Sequence, residues 1–364
     1  MRARACALVL VAACGHPVKP QPPPAVRIVA TERGPSGGRL VVIDEAGLRT
    51  AELVPAAVET ARDNSAVFSP DGKWIAFASS RGRGESLEHT SLWIVAAELD
   101  AQPLRITDFG GDDLAPAWTP DGGALVFASD RGGTFDLWRI AVAPDGAHMR
   151  ARGKPVQLTK APGAELAPSV APDGRIAFAS ITKEADGSRV SRIAVLEASG
   201  DVHDLTNGPG DITPAWSPDG KTLVFSAPVG RGTIVMQDGS KQAVIDADLF
   251  AVDPDGGNRR VFVEAPGTDE SGAVWSHDGR WIFATSLARS VDGKPLLSSI
   301  VYADLRAPAP MTIRMLREPS APVSRLAPAL APSALDDKTL AAGPGYKETL
   351  DQIMMHALLK NEEQ

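Results

Sequence analysis

The chain has 364 residues, with 37 Lys and Arg against 45 Asp and Glu, for a formal charge of −8. That balance, with no basic stripe or arm, argues against nucleic acid as a partner, because phosphate binding needs clustered cations. The 34 Gly and 30 Pro, without a collagen period, fit a turn-rich all-β protein, and no stretch past the first residues is apolar for long enough to span a bilayer.

In chain order, residues 1–13 read as a signal peptide, with Arg2 and Arg4 as its basic start and Ala5 to Ala13 as a short apolar core. The segment Val11-Ala12-Ala13-Cys14-Gly15 resembles a bacterial lipobox, in which the Cys14 thiol would receive diacylglycerol before the signal is removed. An ordinary secretory signal cleaved after the small residues, or a misplaced start, is the competing reading. Residues 14–25, rich in Pro, then form an extended tether, and Gly15 after the cysteine resembles outer-membrane sorting in Gram-negative bacteria. Cys6 and Cys14 are the two cysteines, so the mature chain offers no disulfide, Cys-based zinc site or Cys nucleophile.

Residues 26–341 are built from one repeat. Phe68-Ser69-Pro70-Asp71-Gly72 returns as Trp118-Thr119-Pro120-Asp121-Gly122, Val170-Ala171-Pro172-Asp173-Gly174, Trp216-Ser217-Pro218-Asp219-Gly220 and Trp275-Ser276-His277-Asp278-Gly279. A period of about fifty residues marks stacked supersecondary units. Pro presets the first corner of the turn, Asp bonds back to the local backbone, and Gly takes positive φ. Each turn leads into a short β-branched and aromatic run such as Trp74-Ile75-Ala76-Phe77-Ala78-Ser79, which predicts a buried strand. Third strands follow at Leu92–Val95, Leu137–Ile140, Arg192–Val195 and Leu249–Val252, and fourth strands at Leu104–Thr107, Val156–Thr159 and His203–Thr206.

Four short antiparallel strands per unit predict an all-β fold, a six-bladed β-propeller. Five motifs are complete, and a sixth, degenerate copy runs from Leu326 to Ala334. Val26–Ala30 and Leu40–Ile43 offer strands with no turn motif before them, so the C-terminal segment is expected to pair with the N-terminal strands and close the sheet edges. Residues 342–364 break the pattern. Leu350, Ile353, Met354, Ala357 and Leu358 recur at helical spacing and predict a short amphipathic helix, packed on the propeller or offered to a partner.

The unit Pro116-Ala117-Trp118-Thr119-Pro120-Asp121-Gly122, continuing through Phe127-Ala128-Ser129-Asp130-Arg131-Gly132-Gly133 and Asp136-Leu137-Trp138, resembles the TolB-type WD-like propeller repeat over nearly all of the mature chain. The resemblance implies six blades and protein binding in the periplasm or envelope; TolB itself engages the peptidoglycan-associated lipoprotein. TolB carries an N-terminal α/β domain, whereas a signal and tether are expected here, so a Tol–Pal role does not follow from the fold.

Aligning the repeats exposes a register. Five residues before the aromatic stand Asp63, Asp113, Glu165, Asp211 and Glu270, with Arg325 in the degenerate copy. These positions join one blade to the next and are expected to open on the face opposite the turns, near the channel, together with Arg81, Asp130 and Arg131. One reading is structural, each carboxylate bonding its own loop or a neighbouring Arg. The other is a ligand site at an acidic channel mouth, for a basic segment, a peptide amine or a channel-bound cation, with no other cofactor and no metal site implied. The connection from Ala227 to Asp248 is an insertion on the same face, with a small hairpin expected across Asp238-Gly239, and Leu287–Leu297 is a shorter one.

No Gly-x-Ser-x-Gly elbow occurs, and the six histidines (16, 89, 148, 203, 277 and 356) show no ligand spacing. The expectation is therefore a monomeric, non-enzymatic, periplasm-facing lipoprotein that binds an envelope protein or peptide. Its alternative is a propeller enzyme acting on glycan or peptide with mouth carboxylates as acid and base.

Overall fold

The computed structural model describes residues 28–34, 37–43, 49–54, 61–82, 89–235, 241–265, 268–288, 298–306, 314–315 and 324–331. Cys14, the tether and the helix expected in 342–364 lie outside the described residues, as does most of 287–297.

The chain runs through β1 (Ile28–Gly34), β2 (Gly37–Ile43) and β3 (Arg49–Glu52), then β4 (Asp63–Phe68), β5 (Trp74–Ser79), β6 (Ser91–Ala96) and β7 (Leu104–Arg105). Next come β8 (Asp113–Trp118), β9 (Ala124–Ser129), β10 (Asp136–Asp145) and β11 (His148–Gln157), and then β12 (Ala164–Val170), β13 (Ile176–Lys183), β14 (Arg189–Leu196) and β15 (Val202–Asp204). The last two sets are β16 (Ile212–Trp216), β17 (Leu223–Val235), β18 (Lys241–Val252) and β19 (Arg260–Val263), and β20 (Thr268–Trp275), β21 (Trp281–Ala288), β22 (Ser298–Asp304) and β23 (Arg314–Met315). Each set of four pairs in chain order as an antiparallel blade, and one parallel bridge, Ala247 to Asp269, joins the fifth blade to the sixth. The final described strand, β24 (Ser324–Leu330), pairs with β1, Ile28 opposite Leu330 and Arg33 opposite Ser324. The first blade is therefore ordered β24-β1-β2-β3, which is the terminal pairing that the repeat pattern predicts.

The turns form as their chemistry dictates. In the third blade Gly122 N–H donates to Thr119 O at 2.8 Å, the Thr119 hydroxyl donates to Asp121 Oδ1 at 2.6 Å, and Gly123 N–H donates to the same oxygen at 3.0 Å. Gly122 sits at φ 67°, where a side chain would be strained. All three fourth strands differ from expectation. β7 and β15 are shorter, and β11 runs from His148 and stops at Gln157, because Thr107, Thr206 and Thr159 turn their hydroxyls in to accept the Leu92, Ile193 and Leu137 N–H groups at 2.9, 3.0 and 2.9 Å instead of continuing the ladder.

Blades stack by alternation along each second strand. Ile75 and Phe77 pack against the first blade, whereas Ala76 and Ala78 meet the third. A bulky residue facing back and alanine facing forward let twisted sheets approach closely. The sixth blade shifts this phase by one position. Trp281 and Phe283 point forward and, with Tyr302, meet Ile28, Ala30, Val41 and Ile43 of the first blade. Tyr302 lies 5.8 Å from each of the Trp281 and Phe283 rings, centroid to centroid. Two of the three motif tryptophans strap blades as well: Trp118 Nε1 donates to Val67 O, and Trp275 Nε1 to Ala215 O, each at 3.1 Å.

The segment from Ala227 to Asp248 is a continuation of the β17–β18 hairpin, paired from Ala227 with Asp248 out to Val235 with Lys241. At about 3.3 Å per residue this arm reaches roughly 30 Å beyond the register at which the blade's first strand begins, Ile212 opposite Ser226.

Candidate functional site

The register of acids marks the start of the innermost strands. Asp63 and Asp113 open β4 and β8, Glu165 and Glu270 stand within the first three residues of β12 and β20, and Asp211 precedes β16. All five side chains are buried, as is Arg325. Two residues after each acid the backbone turns left-handed, at Ser65, Ala115, Ala167, Thr213 and Gly272, with φ between 47° and 60°. A pairing shift accompanies each one, for example between Leu114 and Ala117. This is a β-bulge, which adds twist where the strands crowd the axis. Four of the five positions are not glycine, so only Gly272 hints at the bulge in the sequence.

The acids' main chains stitch blades together. Asp113 N–H donates to Thr90 O at 3.1 Å while the Thr90 hydroxyl donates to Asp113 O at 3.0 Å, and Ser191 repeats the clamp on Asp211 at 3.1 and 2.7 Å. Glu165 N–H donates to Phe135 O at 2.7 Å, and the Ser226 hydroxyl to Glu270 O at 2.6 Å.

Four of the five side chains turn back into their own blades, whereas Glu165 reaches back to Thr159 at the end of the third blade. Arg81 holds Asp63 through Nη2 and through Nε at 3.1 Å, with the Ser79 hydroxyl on the same carboxylate at 2.5 Å. Arg131 Nη2 lies 2.5 Å from Asp113 Oδ1, and its guanidinium stacks over Phe109, Phe127 and Trp138. Asp211 is gripped by Arg259, which the repeat register does not reveal because it comes from the turn between β18 and β19 and crosses the faces of Phe225 and Phe250. Glu270 accepts from the Thr268 and Ser286 hydroxyls at 2.8 and 2.7 Å. Arg325 is opposite Glu32 in the β1–β24 ladder, with Nε 3.6 Å from Oε1. The first blade thus keeps the ion pair of the second, third and fifth blades with the signs exchanged. Asp130 plays another part, accepting the Asp112 N–H at 2.8 Å.

Glu165 is paired by a hydroxyl, that of Thr159, and burial pushes its carboxyl above the usual range, with the negative charge of Asp136 adding to the effect. Asp136 is also raised by burial, although Ala161 N–H and the Gln157 amide donate to it. These two acids are the described groups best placed to hold or release a proton on this side of the blades. Among the described residues no group of three or more His, Cys, Asp or Glu is arranged to hold a metal ion.

No family model matches the sequence. The chain is 29% identical over 180 residues to an uncharacterized peptidase, YuxL, of Bacillus subtilis, covering 49% of this chain and 24% of that protein. It is 27% identical over 215 residues to the Tol-Pal system protein TolB of Francisella tularensis, covering 56% of this chain and 46% of the relative. Its structure is similar to that of a proposed TolB from Agrobacterium tumefaciens, with a TM-score of 0.53 at 17% identity over 80% of this chain and 88% of the other. The fold is a TolB-like β-propeller. The matched stretches span less than half the length of both sequence relatives. The TolB-like likeness therefore describes the blades, and the main chains of Asp113, Glu165, Asp211 and Glu270 tie each of their blades to the one before it.

Proposed function

We propose that this TolB-like propeller is a non-enzymatic binding protein of the bacterial envelope, tethered through a lipidated Cys14 to the outer membrane and facing the periplasm. Its ligand is a protein or peptide, taken on the face where the blade-to-blade connections open. The observation that carries this reading is the similarity to TolB over 215 residues of a TolB-like scaffold. The register acids support that face from beneath. Arg81, Arg131 and Arg259 neutralise three of the five carboxylates, Asp63, Asp113 and Asp211, so binding on this face rests on the exposed loops above them.

Replacing Asp63, Asp113 or Asp211 would test stability rather than binding, because each is buried in an ion pair. Photocrosslinkers at exposed loop positions separate the two. Crosslinks to a single envelope protein from Gly133 and Asp186, which lie between second and third strands, are expected; crosslinks confined to Asp121 and Asp219 on the turn face would overturn the reading. Palmitate labelling lost in Cys14→Ser tests the tether.

The second reading, a propeller enzyme on glycan or peptide, draws on the raised carboxyls of Asp136 and Glu165 as acid and base. It requires turnover that Glu165→Gln abolishes while the fold persists.

A further inference from the structure

The third blade ends differently from the others. Its outer strand β11 has ten residues, whereas the outer strands of the other blades have two to four. Among the described residues β11 pairs with β10 on one side only, so its other edge carries backbone groups with no neighbouring strand there. From His148 to Arg152 the ladder is regular; beyond it Gly153, Lys154 and Pro155 fall in a pairing shift.

The side chains of this edge are sorted by face. Met149 and Ala151 join the hydrophobic cluster shared with the second blade. Arg150 and Arg152 lie on the opposite face, opposite Ala143 and Ala141, and both are exposed. That face looks onto the fourth blade, since Leu137, two residues before Arg139 on β10, packs with Phe178 and Leu196. Val156, the cross-strand partner of Arg139, shares the wall and is 62% exposed. On the facing wall Val202 is opposite Leu196 and is 49% exposed. The two most exposed large aliphatic side chains of the described residues therefore sit on the faces of the third and fourth blades that look toward each other, with Arg139, Arg150 and Arg152 on the Val156 side. Arg150 has a partner in Asp145 at 2.6 Å, about half exposed on both sides, while Arg139 and Arg152 make no ion pair among the described residues.

We infer that the β11 edge is a docking site for an extended acidic segment of a partner protein, which adds as a further strand to the third blade and sets an aliphatic side chain between Val156 and Val202. Strand addition supplies main-chain hydrogen bonds, and side chains of the added strand share faces with their cross-strand neighbours. Residues opposite Arg150 and Arg152 would be Asp or Glu. A second copy of this edge would oppose like charges, whereas an acidic strand meets opposite ones. This surface lies at the blade perimeter and does not depend on what the channel face binds.

The test uses the full chain and short amidated peptides of alternating Glu and Thr with a central Val, followed by fluorescence anisotropy. Binding to the wild type that falls at least about tenfold in Arg150→Glu/Arg152→Glu, and weakens with salt, is expected for close charge pairs. N-methylation of alternate peptide amides should abolish it, since the charges remain but the ladder cannot form. Undiminished binding of the N-methylated peptide would reduce the site to electrostatics and overturn strand addition. Binding of the same strength to the charge-reversed variant, no binding to the wild type, or a concentration-dependent dimer that shields β11 would each overturn it too. Circular dichroism of the variant guards against misfolding, and failure here leaves crosslinking on the channel face unaffected.

Discussion

Arg259 holds both carboxylate oxygens of Asp211, Nη1 to Oδ2 at 2.7 Å and Nη2 to Oδ1 at 2.9 Å, across 48 residues of chain. Asp211 is fully buried, whereas the Arg259 side chain is about one-third exposed. The pair is therefore asymmetric. Arg259→Ala strands a charge in the interior and should cost about 3–5 kcal/mol, while Asp211→Asn lets Arg259 turn to water and should cost clearly less. Urea denaturation of both variants checks the order. Gly208 guards the same carboxylate, since a Cβ there would lie 2.5 Å from its oxygens.

Glu165 and the turn acids respond to pH in opposite directions. Burial raises the folded Glu165 carboxyl, so folding is favoured below its unfolded value and that advantage is lost as pH rises through the folded one. Glu165→Gln keeps an acceptor for the Thr159 hydroxyl and removes the desolvated charge. Its melting temperature should exceed that of the wild type at neutral pH, with the difference closing toward about pH 4. A constant difference across pH would refute the assignment.

Asp121 and Asp219 behave the other way. Hydrogen bonds from Thr119 and Gly123, and from Ser217 and Lys221, depress their carboxyls below 3.8. Their contribution is present above that value and disappears as pH falls through the folded value. Asp121→Asn should lower the melting temperature most near neutrality and converge with the wild type in acid. Both groups are solvent-exposed, so the shift should be small.

Ala115 occupies the left-handed bulge position at φ 47°. Ala115→Gly relieves a conformational cost of about 1 kcal/mol, partly offset by the greater freedom of glycine in the unfolded chain. A modest rise in stability is expected, with fluorescence-detected unfolding as the measurement. Gly272→Val should destabilise the sixth blade by more than Ala115→Gly stabilises the third.

Phe283 supports the contact between the last blade and the first. Phe283→Ala should cost about 3–5 kcal/mol, as for other fully buried aromatics, and calorimetry would show whether the loss is global or confined to a subset of blades.

Much of this was legible in the residues. Turn chemistry in Ser217-Pro218-Asp219-Gly220 and its copies, followed by short apolar strands buried on both faces, is local. Each segment of about fifty residues therefore announces its blade, and the lack of a turn motif before Ile28 points to a strand completed from the C-terminal side. The acids at Asp63 and its equivalents became visible through the same spacing, and so did Arg81 and Arg131, which lie two residues beyond a second strand.

Their roles were not legible, because pairing depends on which cation the folded chain brings near. Asp63 and Asp113 find an arginine 18 residues on, Asp211 finds one 48 residues on, and Glu165 finds a hydroxyl. The left-handed bulges were hidden because Ser65, Ala115, Ala167 and Thr213 adopt that conformation under tertiary constraint rather than by preference. Sequence by itself determined the repeat, the turn chemistry and the strand order, all set by residues close in the chain. Tertiary structure decided that the acidic register is buried, its side chains paired mainly within their blades while main chains tie one blade to the next, because both burial and partner choice depend on residues distant in sequence that meet only in the folded chain.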